Sequence, residues 1–393
     1  YNAGLVIINA TNGGTGADRH SFASTTLAQA YTWLFRQSTE DSSKTNAEYY
    51  NVRVINMSLG GKHSANFVDD DILTTKIKQA RNGVWIDSNR NETHHDSILT
   101  VTAAGNAGTD APVPFVDYPG DHESCLTVIN LTRNYGWTTT NNGVGRYADS
   151  NYNVDNTRIK NISAPGTNIR STLNSAGSYG AKNGTSMAAP YVSGIASLLF
   201  TENPDLTADQ VVDLVYATAT DVDAPGWDRE TGYGEINAYH ILQVVSAQLG
   251  GSENIEYKNR QAVAIEYGDG TGWETYGSTE QWEWSIDNSD TIEMTVDPDT
   301  QSVSLVGQKP GSATVTATFK DVDGNPIEGV SISKTYTVMP LDISKATVTV
   351  PGEYAYTGHE VEPKPLVSMS GTELIEGVDY TVSYSDNVEI GEA

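Results

Sequence analysis

Four short, continuous apolar runs mark the first part of the chain, at Leu5 to Ile8, Val52 to Met57, Ile98 to Ala103 and Leu126 to Ile129. Runs of this length without polar alternation are expected of strands buried on both faces of a parallel sheet. Helical periodicity fills the intervals. It covers Phe22 to Phe35, and a second helix running toward Gln79 follows Asp69-Asp70-Asp71, whose negative charge suits a first helical turn. Ser186 to Phe200, Thr207 to Thr218 and Ile236 to Leu249 read as three more helices, the middle one capped within Pro204-Asp205-Leu206-Thr207. Strands alternating with helices predict an α/β layered domain over residues 1–249.

The pattern changes at Gly250-Gly251-Ser252. Beyond this joint, Ser285 to Val296 and Val303 to Phe319 alternate with period two, and the turn Asp323-Gly324-Asn325-Pro326 precedes Gly329 to Val338. The pattern predicts an all-β sandwich over residues 250–340. A third unit, 341–393, begins near Asp342-Ile343-Ser344 and offers strands at Ala346 to Val350 and Tyr380 to Tyr384. Too few strands accumulate there to close a core.

Composition narrows the function. The 393 residues carry 23 Lys+Arg against 50 Asp+Glu, a net charge of -27. Such a chain repels phosphate backbones and anionic lipid, so nucleic acid and membrane surfaces are poor partners. The segment after Leu249 holds 7 of the cations and 25 of the acids. Cys125 is the only cysteine, which excludes an internal disulfide framework and any Cys-rich metal site. No apolar run approaches the length of a membrane span, Tyr191 to Phe200 being among the longest. The chain opens at Tyr1 with no leader pattern, and its acidic, nearly Cys-free character suits an internal piece of an exported bacterial protein, secreted or attached to the cell surface.

The densest chemical signal is Asn183-Gly184-Thr185-Ser186-Met187-Ala188-Ala189-Pro190, followed by the small-residue helix from Tyr191 to Ala196. A nucleophilic hydroxyl needs exposure at a turn into a helix, a glycine to permit the turn and small neighbours that admit a substrate carbonyl. Ser186 has all three, although a serine before a helix can equally be a cap. Pro190 is compatible with an early helical position. Upstream, the strand Val101 to Ala103 ends in Ala104-Gly105-Asn106, where Asn106 can offer an amide to an oxyanion or simply occupy a left-handed turn. Ile55-Asn56-Met57-Ser58-Leu59-Gly60-Gly61 reads as a strand with a Gly-rich edge, suited to binding an extended peptide through Ser58, Leu59 and Gly60.

In combination these residues resemble the subtilisin-like serine proteases. The Ser-Leu-Gly-Gly edge, the Ala-Ala-Gly-Asn turn, Tyr118-Pro119-Gly120, Ser163-Ala164-Pro165-Gly166-Thr167, the Gly-Thr-Ser-Met-Ala turn and Gly232-Tyr233-Gly234 occur in that family's order. The resemblance covers residues 1–249. It implies Ser186 as nucleophile, Asn106 and the Ser186 N–H as oxyanion donors, and Ser58, Leu59, Gly60 and Gly105 along the substrate. The family also supplies a His in a His-Gly-Thr context and an Asp in an Asp-Ser/Thr-Gly context, in chain order Asp, His, Ser. Neither context occurs here, so both are expected upstream of Tyr1 and this chain alone is expected to be inactive. The competing expectation is an inactive protease-like scaffold that binds at the cell surface.

The resemblance places Asp117 at the base of the pocket for the substrate's P1 side chain, where a carboxylate favours Lys or Arg, unless it simply sits in a solvated turn. No cofactor is expected for catalysis. The family often carries structural calcium, for which Gly120, His122 and Cys125 can offer carbonyls, though Asn161 stands where an acid would help. Asp321, Asp323 and Asn325 read as a hairpin turn, and His94-His95 beside Glu92 as a solvated insertion. In the second segment, Trp284 to Asp290 and Gly307 to Ala317 resemble a bacterial group 2 Ig-like domain. Tyr356-Thr357-Gly358, Asp379-Tyr380 and Tyr384 to Asn387 resemble a repeated surface module of Gram-positive bacteria. Trp273, Tyr276, Trp282 and Trp284 can stack on a cell-wall glycan or fill a core.

Overall fold

The computed structural model describes residues 4–8, 23–61, 71–87, 89–108, 116–133, 144–152, 161–173, 177–268, 273–275, 281–340, 342–355, 357–369 and 371–385. In chain order the first part contains α1 (Ser24–Leu34), α2 (Asn46–Tyr50), β1 (Val54–Met57), α3 (Ile72–Arg81), β2 (Val84–Ile86), β3 (Glu92–His94), β4 (Leu99–Ala103) and β5 (Cys125–Arg133). It continues with β6 (Val144–Arg146), β7 (Asn161–Pro165), β8 (Ile169–Thr172), β9 (Tyr179–Lys182), α4 (Thr185–Glu202), α5 (Ala208–Ala217) and α6 (Ala238–Val245).

Strands β1, β4, β5 and β7 form a parallel sheet, and β6 adds antiparallel to the end of β5. Every residue of β4 is buried, as its unbroken apolar run requires. Its side chains divide between two layers. Leu99, Val101 and Ala103 join a core with Ala188, Val192 and Leu199 of α4. On the opposite face Thr100 pairs with Tyr31 of α1 through a buried hydroxyl contact of 2.7 Å. There α1 and α3 pack through Leu27, Ala28, Tyr31, Leu73 and Ile77. Cys125 belongs to this layer, and burial pushes its thiol up to about 12, which makes it an inert packing group.

Two sequence expectations need correction here. Leu5 to Ile8 is not a strand, and Leu5 is 83% and Ile7 81% exposed. An apolar run becomes a strand only where a neighbour accepts its backbone hydrogen bonds, and none of the described strands pairs with it. Pro190 is the sixth residue of α4, not a first-turn residue, because the helix starts at Thr185. Its missing N–H therefore leaves the Ser186 carbonyl without the partner four residues on. The sequence also missed α2 and the hairpins β2–β3 and β8–β9. The first of these hairpins lies within the expected solvated insertion, and its second strand is exposed at every residue. His95, just after it, is largely covered, with its ring against Phe35 at 5.3 Å.

The second part is all β. Its strands are β10 (Gln248–Leu249), β11 (Asn254–Glu256), β12 (Arg260–Val263), β13 (Ile265–Gly268), β14 (Trp273–Thr275), β15 (Trp282–Ile286), β16 (Ile292–Val296), β17 (Val303–Gly307), β18 (Gly311–Lys320) and β19 (Pro326–Met339). Two sheets dominate, β11-β19-β18-β15 and β12-β17-β16. Alternate residues point inward, Leu305 from one sheet and Ala313, Val315, Ala317 and Phe319 from the other. Trp282 is 3% exposed, and its ring meets Phe319 edge-on at 5.1 Å, so it is a core residue and cannot stack on a glycan. Tyr276 and the Trp273 side chain lie outside the described residues. The turn at Asp321 forms as expected, its carboxylate accepting from the Asp323 and Asn325 amides at 2.9 and 2.8 Å.

The joint is held by side chains of β19. The buried Tyr336 hydroxyl donates to Gly250 O at 2.7 Å, and Lys334 Nζ donates to Gly251 O at 2.7 Å. Beyond it, β20 (Thr347–Thr349), β21 (Leu366–Met369) and β22 (Thr372–Glu373) make one small sheet. Tyr380 to Tyr384 forms only an isolated bridge from Tyr380 to Glu376, in place of the expected strand.

Candidate active site

In an open parallel sheet the carboxyl ends of the strands leave a crevice, and a following helix points its amino end into it. Here β1 runs out into Ser58-Leu59-Gly60, β4 into Ala104-Gly105-Asn106, and α4 begins at Thr185. Ser186 therefore lies in the first turn of α4, where its own N–H has no intrahelical carbonyl to bond. Its Oγ donates to Ser58 O at 3.2 Å, which brings the nucleophile candidate to the expected substrate edge.

Asn106 is oriented by the residue before the serine. Its Oδ1 accepts from the Thr185 N–H at 2.9 Å and from Thr185 Oγ1 at 3.3 Å. Thr185 Oγ1 in turn accepts the Gly105 N–H at 3.1 Å. With Oδ1 occupied, the amide's two N–H bonds are left for a ligand, and none of the described residues accepts them. Gly184 makes this approach possible. Its φ is +148°, and a Cβ there would sit 3.1 Å from Asn106 Oδ1.

Gly105 has φ +107°, and a Cβ on it would lie 2.5 Å from Asp117 Oδ2 and 2.3 Å from Asn151 Nδ2. Asp117 is thus pressed against the Asn106 turn. On its other side a Cβ on Gly60 would come 2.9 Å from Asp117 Cβ. The carboxylate is half-buried between the two edges named for substrate binding, rather than in a solvated turn. Asn151, 2% exposed, joins the pieces: Oδ1 accepts from Ala107 N at 2.7 Å and Gly108 N at 3.1 Å, and Nδ2 donates to Asp117 Oδ1 at 3.2 Å.

All seven residues named from the sequence therefore converge: Ser186, Asn106, Ser58, Leu59, Gly60, Gly105 and Asp117. Thr185 and Asn151 were missed. Thr185 was visible inside the nucleophile motif but reads as a helix-start residue, whereas Asn151 sits in a polar stretch with no pattern to mark it. Of the carbonyls suggested for calcium, Gly120 O accepts from Thr127 Oγ1 at 2.5 Å and His122 O from Cys125 N at 3.0 Å. Among the described residues no group of three or more His, Cys, Asp or Glu could hold a metal.

Fold and site together define an α/β protein of subtilisin-like architecture. The sequence model of the Subtilase family matches residues 3–234, and the chain belongs to that family of serine proteases. It is 33% identical over 170 residues to Subtilisin E of Bacillus subtilis (strain 168), a match covering 43% of this chain and 36% of the relative. It is 31% identical over 222 residues to Subtilisin-like protease PopC of Myxococcus xanthus (strain DK1622), covering 53% and 40% respectively. The chain thus spans less than half the length of these relatives. Among solved structures, Sphericase aligns at 26% identity with a TM-score of 0.42, over 56% of this chain and 65% of that one. No described helix is long and apolar enough to cross a membrane.

Proposed function

We propose that this chain carries the nucleophile and oxyanion half of a secreted serine endopeptidase. Ser186 Oγ attacks the scissile carbonyl, and Asn106 Nδ2 and the Ser186 N–H receive the oxyanion. The observation that carries this reading is the orientation of Asn106: Thr185 takes its carbonyl oxygen and leaves its N–H bonds for substrate. The peptide adds as a strand along Ser58-Leu59-Gly60, with Gly105 beside it. Asp117 floors the P1 pocket and selects Lys or Arg.

The reading places the triad Asp and His upstream of Tyr1 and leaves this chain alone inactive. It is supported by what the described histidine rings face: Glu92 for His94, Glu48 and Thr93 for His95, Ser124 N for His122 and Thr218 O for His240. His359 belongs to the third unit. Catalysis uses no cofactor. The all-β part is an Ig-like spacer that holds the protease at the bacterial cell surface, with the cell wall as a contact of the third unit.

The test compares the natural full-length protein, its Ser186→Ala variant and the 393-residue chain on peptides differing only at P1. Cleavage after Lys or Arg by the first alone supports the reading. Hydrolysis surviving Ser186→Ala overturns the nucleophile, preference for Phe overturns the role of Asp117, and a full-length protein that cleaves nothing leaves a binding scaffold.

A further inference from the structure

The Tyr118–Pro119 turn carries Asp117 and is gripped from one side by α3. Asp71 is the N-cap of α3, and its Oδ1 accepts from the Leu73 and Thr74 amides, both at 2.8 Å, and from Thr74 Oγ1 at 3.1 Å. Its other oxygen, Oδ2, accepts the Tyr118 hydroxyl at 2.5 Å. One carboxylate therefore performs two tasks, and α3 gives it a firm base, since Leu73 and Ile77 are fully buried.

From Tyr118 the linkage runs into the substrate edge. The Tyr118 N–H donates to Gly61 O and the Gly61 N–H to Tyr118 O, both at 3.0 Å. The Asp117 N–H donates to Ala104 O at 2.8 Å. The turn is thus tied to the Ser58–Gly61 edge, to the strand leading into Asn106, and to α3 through the Tyr118–Asp71 side-chain bond. Four neutral donors, the Leu73 and Thr74 amides and the Thr74 and Tyr118 hydroxyls, satisfy the Asp71 carboxylate and favour its ionised form, so its bond to Tyr118 is charge-assisted.

We propose that Asp71 is a positioning residue for the P1 pocket, holding the Asp117 carboxylate against the substrate edge through the Tyr118 hydroxyl, so that affinity for a cationic side chain depends on a residue outside the pocket. This rests on the reading of Asp117 given above. It does not depend on the triad, because binding a cation needs no base. Tyr118→Phe removes the link and keeps the helix cap. Asp71→Asn keeps a cap acceptor and weakens the charge-assisted bond.

The probe is p-aminobenzamidine, an aromatic amidinium whose fluorescence rises on entering a carboxylate-floored pocket, titrated into the 393-residue chain well below its unfolding temperature. The parent should bind, Asp117→Asn should abolish binding, and Tyr118→Phe and Asp71→Asn should each weaken it about fivefold, with the double variant no weaker than either single one. Amide hydrogen exchange at Gly61 and Tyr118 should quicken about tenfold in both variants, with or without probe. Unchanged probe affinity in Tyr118→Phe overturns the proposal, as does unchanged exchange. A parent that ignores the probe overturns the reading of Asp117 instead, and exchange then judges the linkage by itself.

Discussion

Arg53 helps fasten the far end of α4, and removing its side chain should be costly. Arg53 precedes β1, and its guanidinium donates to Ser97 O at 3.2 Å and to Pro204 O and Leu206 O, both at 2.6 Å. The last two acceptors belong to the connection between α4 and α5. The same group lies 4.2 Å from the centroid of the Phe200 ring, in the last turns of α4. Burial pulls its pKa down, and Asp96 and Asp205 work against that shift. A hydrogen bond from a charged group contributes about 1.5–3 kcal/mol when buried. Arg53 is only half-buried, so about 1 kcal/mol for each carbonyl is the better figure, with a few tenths more for the ring contact. Arg53→Ala should therefore cost about 3 kcal/mol, and Arg53→Lys, which can reach one carbonyl and lacks the planar fork, about 2 kcal/mol. In a domain of this size 3 kcal/mol lowers Tm by about 6–12 °C. Urea and thermal unfolding of the three proteins measure it. A loss below about 0.5 kcal/mol for Arg53→Ala, or a Lys variant equal to the parent, refutes the reasoning.

Three other substitutions probe different parts. Gly184→Ala forces a Cβ into a φ of +148° and against Asn106 Oδ1, and should cost about 1–3 kcal/mol in calorimetry. Tyr336→Phe leaves the buried Gly250 carbonyl without its donor and should cost about 1–3 kcal/mol, seen as earlier unfolding at the joint. Asp71 sets an acid limit: burial raises its pKa, but the bonds from Tyr118, Thr74 and Leu73 outweigh that and hold it below the usual carboxylate range. A depressed folded-state value means that its stabilisation is complete above the unfolded value of about 3.9 and is lost as pH falls through the folded one. Tm of Asp71→Asn should accordingly fall less steeply than that of the parent below about pH 4, and parallel curves would contradict this.

The buried strands and the turn into α4 were legible because each is local. Leu99 to Ala103 is an uninterrupted apolar run, and only such a run fits between two layers. The Gly-Thr-Ser-Met-Ala turn carries its glycine, its candidate nucleophile and its small helix residues in five consecutive positions. What could not be read depends on contacts distant in sequence. Asn151 bonds to Ala107 and Asp117 across more than thirty positions, and nothing in its own neighbours marks it. Asp71 was legible as helix-start charge, but its grip on Tyr118, 47 positions away, was not. Leu5 to Ile8 failed for the complementary reason: hydrophobicity proposes a strand, and pairing decides it. Trp282 and Trp284 looked alike in sequence, yet the sheet buries the first against Phe319 and leaves the second half-covered.

The central claim is that Ser186 is the nucleophile, and covalent capture tests it most directly. The natural full-length protein would be treated with a fluorophosphonate and the modified residue located by peptide mass spectrometry. A single adduct on Ser186, absent from Ser186→Ala and sharply reduced in Asn106→Ala, is the predicted result. An adduct on another serine, or peptide hydrolysis that persists in Ser186→Ala, would contradict it.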